Sequence, residues 1–171
     1  MITRTKWFDR TFETIADSSL LLDIIERLEG TGLRIEHKLH NSGSAYLQST
    51  ANNKWSIKKQ IGHLGDLEPL WLERIKQIKV GEPHLKAADL SNRKTEEAAH
   101  DDKKVKELIA DFTAQREKMI AELRACTSDQ LQNESKHPRL DQPMKLVDLA
   151  YFVAEHDDHH LATIQEMLNN K

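Results

Sequence analysis

The chain reads as an all-α protein, a four-helix bundle with long connections between helices two and three and between helices three and four. Three observations predict this fold class. Apolar residues recur at helical intervals over four long stretches. Charged residues make up 31% of the 171 residues and aromatics only 5%, a balance that favours helices over a sheet. Runs of alternating or β-branched residues are rare. The length suits one domain with a real core, so a single domain over 1–171 is expected.

The first helix is expected from Ser18, with Asp17 or Ser18 as its cap, through Ile24, Ile25, Leu28 and Ile35 to Leu39. Gly30 and Gly32 interrupt its pattern. Each costs about 1 kcal/mol in a helix interior, which signals either the close approach of a neighbour or a local break. A polar, turn-rich stretch over 41–53 follows, and Trp55-Ser56 opens a second helix that Gly81 and Pro83 end after Lys79. Residues 84–102 form a long, charged connection with room for a short helix.

Val105, Leu108, Ile109, Phe112, Met119 and Ile120 draw the inner face of a third helix over 103–125. A second connection over 128–142 carries His137-Pro138-Arg139-Leu140. Asp141 followed by Pro143 makes a helix start, and the fourth helix is expected to run from there almost to Lys171.

Bulk properties exclude several functions. There are 25 basic and 28 acidic residues, a formal charge of −3, and neither sign gathers into a block, so a nucleic-acid partner is not expected. No apolar run approaches a membrane span. The segment from Met1 to Trp7 has no apolar signal region, and the single Cys126 rules out an internal disulfide. A cytoplasmic location fits these features. Cys126 itself reads as packing.

The chemistry concentrates in histidines. In Glu155-His156-Asp157-Asp158-His159-His160 a helix projects His156 and His160 from one face, one turn apart. Leu149, Phe152, Val153 and Ile164 share that side, so both imidazoles should point into the core. His63 stands on a similar stripe with Leu67, Leu70, Trp71 and Ile78. Buried imidazoles need partners, and two readings stay open: a metal triad of His63, His156 and His160, or a polar network.

The remaining candidates read less sharply. At 3.6 residues per turn, His159 is rotated by about 80° from the ligand face, which suits a supporting role. Asp157 and Asp158 are expected to face solvent or to orient a ligand from outside, and Asp66 and Glu68 are read in the same way. His137 either lines the site or caps a turn. Trp7, Phe8 and Phe12 should pack over the bundle, whereas Trp55 and Trp71 bracket His63, as core or as pocket wall. Three imidazoles would leave a divalent ion at least one open position, where it could acidify a water or hold a thiolate. Imidazole ligands suit zinc, nickel, copper or iron.

Three motifs stand in order along nearly the whole chain: Trp55-Ser56-Ile57-Lys58-Lys59-Gln60-Ile61-Gly62-His63-Leu64, the His137-Pro138 step, and Ala154-Glu155-His156-Asp157-Asp158-His159-His160-Leu161-Ala162. Together they resemble the DinB-like superfamily, including its YfiT-type metal-dependent hydrolases. That family's pattern, one histidine in the second helix and H-x-x-x-H in the fourth, falls on His63, His156 and His160. The resemblance implies a four-helix bundle, a bound divalent metal such as nickel or zinc, and frequently a homodimer.

Its relatives include S-transferases and isomerases dependent on bacillithiol, mycothiol or glutathione, and others classed as hydrolases. The leading expectation is therefore a metal-dependent enzyme in which a low-molecular-weight thiol attacks a small electrophilic substrate. A hydrolase would need a general base near the ion, and Asp66 is the nearest candidate in sequence. A third reading has the metal tie helices two and four together in a non-catalytic, stress-associated protein.

Overall fold

The computed structural model describes residues 3–40, 47 and 55–169. Four long helices dominate it: α1 (Leu21–Leu39), α2 (Ile57–Lys79), α4 (Val105–Arg124) and α5 (Leu146–Asn169), with the five-residue α3 (Arg93–Glu97) in the connection between α2 and α4. The polar stretch over 41–53 lies outside the described residues except for Leu47, as do the last two residues expected near the end of the fourth helix.

Local chemistry starts each helix. Asp17 accepts the Ser19 amide at 2.9 Å and leads through a single 3-10 turn into α1. Ser56 Oγ accepts the Lys59 amide at 3.0 Å at the head of α2, and the Glu107 carboxylate takes the Lys104 amide before α4. Asp148 caps α5 from inside its first turn, accepting the Lys145 amide at 2.8 Å. Its other oxygen takes the Ile15 amide at 2.6 Å, which pins the N-terminal segment to the bundle.

α1 runs unbroken through both glycines. Gly32 faces α4, and a Cβ there would come within 2.9 Å of Thr113 Oγ1, so of the two readings the close approach is the one observed.

The fourth helix begins later than its sequence signals suggest. Asp141 and Pro143 belong to a small antiparallel hairpin, β1 (Ser135–His137) and β2 (Gln142–Met144), with Lys136 opposite Pro143. Proline is tolerated there because Lys136 directs its own N–H to the Pro83 carbonyl and its C=O to the Leu85 amide, on the other side of the strand. Asp141 has φ +56°, a turn conformation rather than a helix cap.

α2 packs along α4, α1 along α5, and each of these pairs contacts the other. The core is built in layers. One apolar cluster gathers Leu28, Ile78, Met119, Leu146 and Phe152, and a second gathers Ile35, Ile61, Phe112 and Ile164. Between them lies a polar layer of Thr31, Glu68, Arg116 and Asp157, one residue from each long helix, all buried. The histidines stand at the same level of the bundle.

Candidate metal centre

α2 presents His63 and α5 presents His156 and His160, one turn apart. The structure brings the three together with one potential ligand atom each, all within 4.8 Å of one another. Ring centroids lie 4.5 to 5.4 Å apart, and the three side chains are 4–6% exposed.

Hydrogen bonds orient two of the rings. Thr95 of α3 donates its hydroxyl proton to Asp66 Oδ2 at 2.9 Å. Its oxygen is therefore the acceptor for His63 Nδ1, 3.0 Å away, and the Nε2 lone pair of His63 is left free. His160 Nδ1 lies 2.6 Å from Gln60 Oε1, which can only accept, so the proton sits on Nδ1 and Nε2 carries the lone pair. His156 Nε2 is 3.1 Å from His160 Nε2, while His156 Nδ1 is buried with no hydrogen-bond partner among the described residues.

Burial pushes His63 down to about 4, against the opposing pull of the Asp66 carboxylate. Burial first, and the neighbouring imidazoles second, push His156 and His160 well below the ordinary histidine range. At neutral pH the cluster therefore consists of neutral imidazoles, and His63 and His160 each offer an Nε2 lone pair, the kind of donor a divalent ion requires.

The cluster forms one wall of a cavity of about 380 Å³. Its other walls are mostly aromatic and apolar: Trp7, Trp55, Leu67, Trp71 and Phe152. Trp55 stands 4.7 Å from the His63 ring and Trp7 5.0 Å from the His156 ring. Both bracketing tryptophans therefore wall the pocket, although Trp71 is also buried in the core. Of the N-terminal aromatics, Trp7 and Phe12 pack on Phe152, and Phe8 is largely exposed.

His159 lies outside the cluster but on the cavity, with Nδ1 3.1 Å from Arg4 Nη2. His137 does both things its position allowed. It lines the cavity, and its Nδ1 faces the amides of Arg139 and Leu140 across the hairpin turn.

The carboxylates differ from the sequence expectation. Asp157 is fully buried and does not face solvent. Arg116 reaches it from α4 and reaches Glu68 on α2, with contacts of 2.6 Å to each, and Thr31 donates to Asp157 Oδ2 at 2.8 Å. A charged guanidinium at that depth is what makes a buried aspartate tolerable. Asp158 behaves nearer to expectation, half-buried and paired with Arg27 and Arg34. Asp66 points to Thr95 and His100, not into the cavity.

Sequence reasoning missed Thr95 and Gln60. Gln60 carried a signal, a polar residue one turn before His63 on an otherwise apolar stripe. Thr95 carried none, because only the path of the connection brings it to His63. Gly62 belongs to the same arrangement: a Cβ there would collide with the His100 ring, which Asp66 holds in place.

YfiT from Bacillus subtilis, described as a probable metal-dependent hydrolase with an unusual four-helix bundle topology, superposes with a TM-score of 0.76 at 19% identity, over 94% of this chain and 92% of its own. A mycothiol-dependent maleylpyruvate isomerase superposes with a TM-score of 0.66 at 11% identity, over 93% of this chain and 62% of its own. At these identities the likeness is one of fold. No curated protein matches the chain significantly in sequence. The sequence profile of the DinB superfamily matches residues 19–164, a span that includes all three histidines and the long helices that carry them, and the chain therefore belongs to the DinB superfamily.

Proposed function

We propose that the protein is a metal-dependent enzyme in which His63, His156 and His160 hold a divalent ion, zinc or nickel, and a small thiol is transferred to an electrophilic small molecule. The observation that carries this reading is where the histidines stand: their cluster forms a wall of a cavity large enough for a small molecule. A purely structural ion would be closed in by protein. A divalent ion held there supplies Lewis acidity, which lowers the pKa of a thiol and holds it as thiolate.

The chain's own residues do the rest. Thr95 and Gln60 fix the tautomers and ring directions of His63 and His160, so that these two rings are already set to receive an ion. Trp7, Trp55 and Trp71 keep the cavity dry and give the substrate's apolar part a surface to lie on.

Hydrolysis is the second reading, supported by the description of the Bacillus subtilis relative. It needs a base to activate water. Among the described residues the one carboxylate on the cavity is Asp89, whose oxygens already accept from Ser91 and from the Arg93 amide in a turn. Thiol transfer needs no such carboxylate, which favours it.

The test is metal content by plasma mass spectrometry on untagged protein purified without a metal column. Wild type should carry about one equivalent, and His63→Ala and His160→Ala should lose most of it while staying helical. Thiols added to cobalt- or nickel-loaded protein should then shift its absorption spectrum. Full metal content in both variants would sink the ligand assignment, and a spectrum indifferent to thiols would sink the transfer reading.

A further inference from the structure

The cavity has a second polar end, away from the histidine cluster. Arg139 follows His137-Pro138 in the hairpin turn and lies over three aromatic rings, 5.6 Å from Trp7, 5.6 Å from Phe8 and 5.5 Å from Phe152. Its Nη2 is buried with no hydrogen-bond partner, and no carboxylate among the described residues pairs with it. Arg74 of α2 lines the same cavity and is 1% exposed, also without a carboxylate. Its Nε donates to the Lys86 carbonyl at 2.9 Å, and its guanidinium lies 5.2 Å from the Trp71 ring.

The lack of a carboxylate partner is what sets these two arginines apart. Arg10, Arg27, Arg34 and Arg116 are also buried or half-buried, and each has a carboxylate. Around His137 a shortage of acceptors can be counted. Arg74 Nη1 lies 3.0 Å from Nε2, and the amides of Arg139 and Leu140 each lie 3.2 Å from Nδ1. A neutral imidazole has one nitrogen lone pair to offer, so on one side or the other a donor has no acceptor. Burial, followed by the repulsion of Arg139, pulls Arg74 down to about 10, as expected for two cations held close without a counter-charge.

We propose that this end of the cavity binds the carboxylate of a small molecule with an apolar or aromatic body, with Arg139 as its direct contact and Arg74 supplying a second positive charge behind it. A guanidinium edge matches a planar carboxylate, and aromatic walls exclude water from the pair and strengthen it. The ligand's body then lies along Trp7, Trp71 and Phe152, toward the histidines. As a statement about substrate class this rests on the enzymatic reading above; as a binding site it does not require an ion.

The experiment is a fluorine NMR titration of the full chain with 4-fluorobenzoate and with its neutral isostere 4-fluorobenzamide, for metal-free and metal-loaded wild type, Arg139→Gln and His160→Ala. Benzoate is expected to bind wild type at least about tenfold more tightly than the benzamide, and Arg139→Gln should lose that preference. Equal binding of the two probes to wild type overturns the proposal without any variant. So does benzoate binding that needs the ion but not Arg139, an outcome that leaves the metal reading intact. Arg139-dependent binding that persists in metal-free His160→Ala supports the anion site even if the metal reading fails.

Discussion

Arg116 has five N–H donors, and each meets an acceptor: two bonds go to Glu68, two to Asp157 and one to the Leu28 carbonyl. Burial alone would lower its pKa, but the two carboxylates outweigh that and hold it above the ordinary arginine range. Glu68 moves the other way, raised by burial despite the guanidinium beside it. Such a cluster owes its stability to completeness rather than to any single pair. Arg116→Met should therefore cost about 3–5 kcal/mol, because it strands two buried carboxylates. Glu68→Leu added to it should recover part of the loss. Urea unfolding curves check both statements, and a single variant within about 1 kcal/mol of wild type would show that the cluster is not held as described.

Among the elements, the short α3 has the largest effect for its size. Five residues long, it has little stability of its own. It puts Thr95 between Asp66 and His63, and so sets which nitrogen of His63 faces the other histidines. Thr95→Val keeps the shape and removes the hydroxyl. We expect metal affinity, measured by competition with a coloured chelator, to fall about 10–100-fold while the thermal midpoint moves little. An unchanged affinity would mean that the His63 ring is held by packing alone. The hairpin contributes in a similar way, since it carries His137 and Arg139 to the cavity and delays the start of α5.

For the whole molecule, the neutral histidine cluster links stability to pH. His63 at about 4, His159 at about 4 and His137 at about 3 all lie below the ordinary value of 6.5, and His156 and His160 are also lowered. A histidine whose folded pKa is depressed stabilises the fold above its unfolded pKa, and that contribution is lost as pH falls toward the folded value. The window therefore opens at about 6.5 and runs down to about 4 for His63 and His159 and to about 3 for His137, and His63 alone accounts for about 3 kcal/mol across its part. Metal-free protein should show urea midpoints that drop steadily from pH 7 to pH 4.5, and His160→Gln should flatten the slope. A midpoint independent of pH in this range would contradict neutral, buried imidazoles.

What the sequence determined by itself was whatever is written in local periodicity. Apolar spacing placed the four long helices, and i, i+4 spacing set His156 and His160 on one inward face, because a helix repeats every 3.6 residues wherever it lies. His63 was legible for the same reason. Tertiary structure decided the rest. Asp157 looked like a solvent residue until Arg116, forty-one positions earlier, proved to be its partner. Pro143 looked like a helix start until the chain at Pro83 and Leu85 took up the polar groups of Lys136 and left the proline a strand position that needs no N–H. Thr95 and Arg139 owe their positions to connections whose paths no periodicity encodes. Burial and pairing between residues distant in sequence are properties of the packed bundle, and they determined which polar side chains serve the cavity and which only hold the helices together.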